Sequence, residues 1–125
     1  MKKFAPLAAI IALAAVSGCS MYGSSSPAKT MDGALVGANG MTLYTFDRDT
    51  AGSGKSVCNG PCATNWPPLM GATAPAGTGY GVIQRDDGSS QIAYKGKPLY
   101  YWAKDMKPGD KTGDGFNQVW QVAKP

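Results

Sequence analysis

Two stretches of this chain carry a tyrosine hydroxyl and a carboxylate at the same spacing. In each, a large aromatic residue follows the Tyr by two positions and an Asp follows it by five: Tyr44, Phe46 and Asp49, then Tyr100, Trp102 and Asp105. Such groups can bind a ligand, or they can cap turns while the rings fill a core. The sequence leaves both interpretations open. The recurrence itself predicts a duplicated structural unit.

The carboxylates suggest hydrolysis or calcium binding, and both chemistries need groups that this chain lacks. Hydrolases that use a serine nucleophile or a metal rely on His, and the chain has no His. Asp47 and Asp49 are spaced like the start of an EF-hand loop, but its fifth and twelfth positions hold Ala51 and Cys58. We therefore predict a protein that is not an enzyme, with no catalytic residue, metal or cofactor. The alternative is calcium held by loop carboxylates: Asp105, Asp110 and Asp114.

Two cysteines, Cys58 and Cys62, are separated by three residues in a chain that carries an export signal. Disulfides persist in oxidising compartments, and a turn or helix start would bring the two Cα atoms within bonding range. We predict a structural disulfide between them. The alternative is a redox-active pair, although thioredoxin-like sites use a two-residue spacing beside a βαβ unit. A metal site would need further Cys or His ligands.

The first 18 residues are typical of a secretory signal, with Lys2 and Lys3 ahead of an apolar run. The run ends in Val-Ser-Gly before Cys19, which resembles the lipobox of bacterial lipoproteins. The resemblance implies lipidation of Cys19, cleavage before it and a stable membrane anchor. Ser20 fits transport to the outer membrane, on a face that the sequence does not specify. Residues 19–30 are rich in Ser and Gly and are predicted to form a flexible tether.

Residues 31–125 have the length of one small domain. Without Lys2 and Lys3 the 12 cationic side chains fall to ten, against eight acidic ones, all Asp. The charges are interspersed, so no basic surface indicates nucleic acid. Abundant Gly and Pro, and the absence of any long 3.6-residue apolar stripe, favour an all-β fold. We expect a small antiparallel sheet, barrel or sandwich made of two related halves, about 33–70 and 80–123.

The predicted strands are short and mostly joined in a meander. They cover Ala34–Val36, Thr42–Phe46, Tyr80–Gln84, Ser90–Tyr94, Pro98–Trp102 and Gln118–Val122. The dipeptide Asn39-Gly40 predicts a type I′ turn between the first two. Pro61 is suited to the first position of a helix and Pro67 prevents its continuation, so a short helical turn is expected near 61–65. Each half is expected to add a hairpin, a long loop and a Trp, either Trp66 or Trp120, to a shared core.

These stretches resemble a family of predicted bacterial lipoproteins of unknown function, in which a Tyr-x-(Phe/Trp/Tyr)-x-x-Asp motif is repeated. The match covers Gly40–Asp49, Cys58–Cys62 and Trp66–Leu69, then Gly96–Asp105, Pro108–Asp110, Gly113–Gly115 and Val119–Trp120. The resemblance implies a secreted location and one fold for both halves. It supplies no activity and no catalytic residue.

Taken together, the sequence predicts a lipid-anchored protein of the bacterial envelope with a non-catalytic binding or structural role. Its expected partners are the membrane, through the lipid on Cys19, and an envelope protein or glycan, through the loops after the two motifs. The alternative is a small periplasmic redox or electron-transfer accessory, or a protein that binds a metal ion.

Overall fold

A computed structural model describes residues 26–125, where the chain forms seven short strands and two short helices. The strands are β1 (Lys29–Met31), β2 (Ala34–Val36), β3 (Tyr44–Phe46), β4 (Tyr80–Gln84), β5 (Ser90–Tyr94), β6 (Lys97–Pro98) and β7 (Trp120–Val122). The helices are α1 (Pro61–Asn65) and a 3-10 turn (Phe116–Gln118). The prediction of an all-β fold with a short helical turn at 61–65 is confirmed.

The folded part begins before the end of the predicted tether. Ala28 is buried and Lys29 and Thr30 belong to β1, so the prediction of an unstructured segment up to residue 30 is wrong for its last residues. The reason is pairing: β1 forms a hairpin with the apolar strand β2 and extends its ladder. The signal segment 1–18, Cys19 and residues 20–25 lie outside the described residues.

Three small antiparallel sheets make up the fold. β1 pairs with β2, and β5 lies between β4 and β6. β3 pairs with β7, which is the last strand of the chain. We call residues 26–70 half 1, residues 80–125 half 2, and residues 71–79 the connection. The β3–β7 sheet therefore takes one strand from each half.

Two-residue turns close two of the hairpins. Asp32-Gly33 joins β1 to β2 and Lys95-Gly96 joins β5 to β6, and all four residues have positive φ, as a type I′ turn requires. The prediction of a type I′ turn at Asn39-Gly40 is wrong, because Gly40 has a positive φ and Asn39 does not. A longer loop forms there, in which Gly37 N–H donates to Met41 O at 2.9 Å. The Asn39 carboxamide accepts from Met41 N–H at 2.9 Å and stabilises it.

Matched backbone hydrogen bonds relate the two halves by an approximate two-fold axis. In one set, Leu43 N–H donates to Leu35 O (2.9 Å), Leu35 N–H to Ala123 O (2.9 Å) and Ala123 N–H to Leu43 O (2.8 Å). In the other, Leu99 N–H donates to Ile92 O (3.0 Å), Ile92 N–H to Leu69 O (2.8 Å) and Leu69 N–H to Leu99 O (2.9 Å). Between the sets, Tyr44 and Tyr100 exchange both backbone hydrogen bonds, at 2.7 and 2.9 Å. The final segment of each half thus pairs inside the other half.

Alternation along the motif strands divides the core into two clusters. Tyr44 and Tyr100 lie in an aromatic cluster, whereas their neighbours Leu43 and Leu99 lie in an aliphatic cluster. Residues i and i+2 of a strand share a face, and Phe46 accordingly joins Tyr44 in the aromatic cluster. Both clusters draw residues from both halves, as expected for the shared core.

Three strand predictions are too long. The stretch 42–46 is a strand only from Tyr44 to Phe46. Of the stretch 98–102 only Pro98 belongs to a strand, β6, because Tyr100 changes partners and bridges Tyr44 on one side and Pro68 on the other. The stretch 118–122 becomes a strand only at Trp120, since Gln118 has a φ of 63° and ends the 3-10 turn. β4 and β5 have the predicted bounds.

Candidate functional site

The tyrosine of each motif hydrogen-bonds the aspartate of the other motif. The Tyr44 hydroxyl donates to Oδ2 of Asp105 at 2.6 Å, and the Tyr100 hydroxyl donates to Oδ2 of Asp49. Each bond therefore joins half 1 to half 2. We call Tyr44 and Tyr100 the motif tyrosines and Asp49 and Asp105 the motif aspartates. The sequence predicted equivalent positions for these residues in the two halves, with each aspartate beyond the end of its strand, but did not predict that they pair across the halves.

The second carboxylate oxygen of each motif aspartate binds the loop that follows its own motif. Oδ1 of Asp49 accepts from Val57 N–H at 2.8 Å. Oδ1 of Asp105 accepts from Thr112 N–H at 3.0 Å and from the Thr112 hydroxyl at 2.6 Å. Each aspartate thus stabilises its own loop through Oδ1 and the opposite half through Oδ2. Both oxygens of both carboxylates are engaged.

Burial keeps the motif tyrosines in the protonated, donating form. Both side chains are 0 % exposed. Burial disfavours the phenolate and, with the adjacent carboxylate of Asp105, raises the pKa of Tyr44 above its ordinary value. The pKa of Tyr100 is raised by burial and then by Asp49 in the same way. Near neutral pH the two hydroxyls act as hydrogen-bond donors, with no tendency to ionise.

A buried arginine, Arg85, extends one of these pairs into a network. The Ser56 hydroxyl hydrogen-bonds the Tyr100 hydroxyl and accepts from the Arg85 guanidinium at 3.2 Å. Arg85 also donates to Oε1 of Gln91 at 2.6 Å and to the carbonyl of Cys58. Its side chain is 5 % exposed, and within residues 26–125 no carboxylate forms an ion pair with it. No sequence pattern around Arg85 distinguishes it from a solvated turn residue.

Four rings stack in a continuous column at the two-fold axis. Trp66 and Trp120 are parallel within 3°, with centroids 3.7 Å apart. Trp102 stacks on the outer side of Trp66 at 3.9 Å, and Phe46 stacks on the outer side of Trp120 at 4.2 Å. We call these four rings the aromatic stack. The motif tyrosines meet it edge-on, Tyr44 against Trp66 and Tyr100 against Trp120.

Cys58 and Cys62 form the predicted disulfide. The Cα atoms of Cys58 and Cys62 are 5.2 Å apart, and α1 begins between them at Pro61. Cys58 is 0 % exposed and belongs to the aromatic cluster, where Trp66 also lies. The disulfide therefore fixes the start of α1 against the aromatic core.

The remaining loop carboxylates are also occupied by local hydrogen bonds. Asp110 accepts from Met106 N–H at 2.8 Å and from the Lys107 ammonium at 2.9 Å, which lowers its pKa. Asp114 accepts from Val122 N–H at 3.1 Å. In the part of the chain that the structure describes, no three His, Cys, Asp or Glu residues are grouped as metal ligands. The carboxylates named as the calcium alternative stabilise turns and the motif pairing in this arrangement.

A surface cleft of about 520 Å³ lies between α1 and the β4–β5 loop. Its lining combines apolar side chains with acidic and hydroxyl groups: Asn59, Gly60, Ala63, Pro68, Met70, Arg85, Asp86, Asp87 and Ser89. Met70 is 52 % exposed, and Asp86 faces Lys55 at 3.4 Å on the rim. None of the six motif residues lines this cleft. No pattern in the sequence indicates this cleft, because its residues come from three separate stretches.

The fold and the crossed pairing define a β protein of two interlocked repeats, whose repeated residues join one half to the other. The chain belongs to a family of secreted repeats of unknown function, Lipoprotein_15, whose family model matches residues 26–70 and 81–124. No curated protein and no solved structure gives a significant match to it. Among the described residues no helix has the length and apolar character needed to cross a bilayer.

Proposed function

We propose that this chain is a lipid-anchored, non-catalytic module of the bacterial envelope that binds an envelope protein or a glycan. One observation carries the proposal: the motif hydroxyls and carboxylates are buried and hydrogen-bonded to one another. Groups that are already paired inside a core have no free valence for a substrate. They account for why the two halves hold together, so a ligand must be bound elsewhere on the surface.

The cleft between α1 and the β4–β5 loop is the surface that we assign to the ligand. Pro68 and Met70 offer an apolar floor, and Asp86, Asp87 and Ser89 offer oxygen atoms at its edge. Binding sites commonly combine an apolar surface with a few fixed polar groups. A sugar ring has a matching pair of surfaces, since its C–H face packs on apolar groups and its hydroxyls donate to carboxylates.

Co-sedimentation with isolated cell-wall sacculi tests the binding role. The double variant Asp86→Ala/Met70→Ala removes two exposed cleft side chains, and we expect it to lose most of the binding. The matched control Asp47→Ala/Met106→Ala changes the same residue types outside the cleft and should bind like the wild type. Sacculi with and without protease treatment separate a glycan from an attached protein. Equal binding by both double variants, or no binding by the wild type to either preparation, would refute the proposal.

The anchor is supported by the sequence around Cys19 and by membership of a secreted family. We expect the full-length chain to fractionate with outer membranes, and the variant Cys19→Ala to lose both membrane association and incorporation of labelled fatty acid. Retention of Cys19→Ala in the membrane fraction would contradict the lipid anchor. The electron-transfer alternative is less favoured, because Cys58 is buried and the three-residue spacing of the pair differs from that of thioredoxin-like sites.

A further inference from the structure

Neither half of this chain has a hydrophobic core of its own. The aromatic stack alternates between the halves, with Trp66 of half 1 lying between Trp102 and Trp120 of half 2. The aliphatic cluster likewise joins Leu35 and Leu43 to Ile92 and Leu99. Because a domain is held together by burial of its apolar faces, each half needs the other half to cover its core face.

The surfaces that the two halves present to each other are near copies. Each half contributes one motif tyrosine, one motif aspartate and one final segment that pairs inside the other half. The bonds at the axis are mutual, since Tyr44 and Tyr100 exchange backbone hydrogen bonds. A two-fold interface of this kind is self-complementary, which is the geometry by which identical chains dimerise.

The connection is the single segment of backbone that links the two halves covalently. The connection contains no strand or helix, and most of its residues are exposed. Its hydrogen bonds to the rest of the chain are few: Gly71 N–H donates to Ser90 O at 3.2 Å, Gly79 O accepts from Lys95 N–H at 2.7 Å, and the Thr78 hydroxyl accepts from Tyr80 N–H at 3.4 Å. Ala74 packs against the aliphatic cluster. The interface between the halves therefore does not depend on which chain each half belongs to.

We propose that a second copy of this chain can supply either half. In the resulting dimer, half 1 of each chain packs on half 2 of its partner, with the same hydrogen bonds and the same aromatic stack as in the monomer. Since the contacts are equal, the length of the connection decides between the two forms. A short flexible tether gives an effective concentration on the order of millimolar. The closed monomer therefore prevails in dilute solution, whereas a high concentration of the chain or a shorter connection favours the dimer.

The geometry of β5 shows how short the connection can become. Met70 bridges Gln91 on one side of β5, and Tyr80 pairs with Tyr94 on the other side. Two strand spacings and three residues of rise separate these positions by about 14 Å. Deletion of residues 73–78 leaves three connecting residues, which span about 14 Å at full extension and have no slack to pass over the sheet.

The test is the solution mass of the full chain, in a Cys19→Ser background, with residues 73–78 deleted. We expect a dimer by light scattering, with the near-ultraviolet circular dichroism of the wild type. The control replaces residues 73–78 by six Gly and Ser residues and should remain monomeric. A folded monomer would overturn the proposal. An unfolded deletion variant would also overturn it, because exchange should restore every contact between the halves.

A cross-link distinguishes half exchange from simple surface association. Thr45 and Gln121 are register partners in the β3–β7 sheet and belong to different halves. With Thr45→Cys and Gln121→Cys, the new disulfide should join two chains in the deletion variant and remain within one chain in the control. Single-chain cross-linking in a dimeric deletion variant would show that the halves are not exchanged, and would refute the proposal.

Discussion

The crossed pairing makes a prediction that a pairing within each motif would not: Tyr44 is energetically coupled to Asp105 and not to Asp49. The variant Tyr44→Phe removes the hydroxyl that donates to Asp105 at 2.6 Å and accepts from Gly113 N–H at 3.2 Å. A hydrogen bond to a charged group contributes about 1.5–3 kcal/mol, and partners left unsatisfied in a core add to the loss. We expect Tyr44→Phe to lower the free energy of unfolding by about 2–3 kcal/mol.

Double-mutant cycles measure the coupling. In the Tyr44→Phe background Oδ2 of Asp105 has already lost its donor, so Asp105→Asn should cost less there than in the wild type. We expect a coupling energy of about 1.5–2 kcal/mol for this pair, within the range known for contacting residues. The cycle that combines Tyr44→Phe with Asp49→Asn should give less than about 0.5 kcal/mol, since these two side chains share no hydrogen bond.

Urea unfolding followed by tryptophan fluorescence supplies the free energies. With an m-value of about 1.5 kcal/mol/M, the loss in Tyr44→Phe moves the midpoint by about 1.3–2 M. The control is Tyr94→Phe, because the Tyr94 hydroxyl makes no hydrogen bond to any residue from 26 to 125; the expected change is within about 0.5 kcal/mol. Coupling of Tyr44 to Asp49 as large as its coupling to Asp105 would refute the crossed arrangement.

Three further results are expected. Because the pKa values of the motif tyrosines are raised in the folded state, the unfolded chain loses these protons first as the pH rises. The free energy of unfolding should therefore fall above about pH 10. Urea midpoints from pH 8 to 11 measure this fall, which should be shallower in Tyr44→Phe. A Cβ on Gly113 would lie 2.7 Å from the Trp66 ring. Gly113→Ala should therefore lower the free energy of unfolding by about 1–3 kcal/mol and weaken the near-ultraviolet circular dichroism of the aromatic stack. The control Gly81→Ala, with open space around the added Cβ, should leave both unchanged. Removal of the Cys58–Cys62 disulfide should cost about 2 kcal/mol from loop-closure entropy. With a mild dithiol present, thiol titration should detect free Cys58 and Cys62 only after the chain unfolds; ready exchange in the folded state would instead support the redox alternative.

The sequence predicts the repeat, the faces and the location of the disulfide because each is a local property. Alternation places Tyr44 and Phe46 on one face whatever their partners are. The pairing partner is not local: the hydroxyl of Tyr44 meets a carboxylate 61 residues away. Two motifs of the same composition allow pairing within a motif as readily as between motifs. Only the exchange of the final segments decides between them, and that exchange has no signature in spacing.

Arg85 and the turn at Asn39-Gly40 show a second limit. Arg85 precedes two aspartates and a glycine, a composition typical of an exposed turn, yet the side chain is buried beneath Ser56 and Gln91. An Asn-Gly pair favours a type I′ turn when two strands end directly beside it. Here the loop closes from Gly37 to Met41, so the strand ends set its length and the local preference is overridden.

The aromatic rings and the polar groups of the motif have different roles, which explains why the motif carries a tyrosine and an aspartate. Stacked rings bury a large apolar area, but a column of similar aromatic rings does not by itself select one register or one partner half. A shift of one residue in either motif strand would turn its tyrosine away from the opposite aspartate and leave a buried carboxylate without its donor, at a cost of about 1–3 kcal/mol. Because there are two Tyr–Asp bonds across the halves, the penalty for a wrong register applies twice. We infer that the aromatic stack supplies the stability and that the two Tyr–Asp bonds specify which halves meet and how.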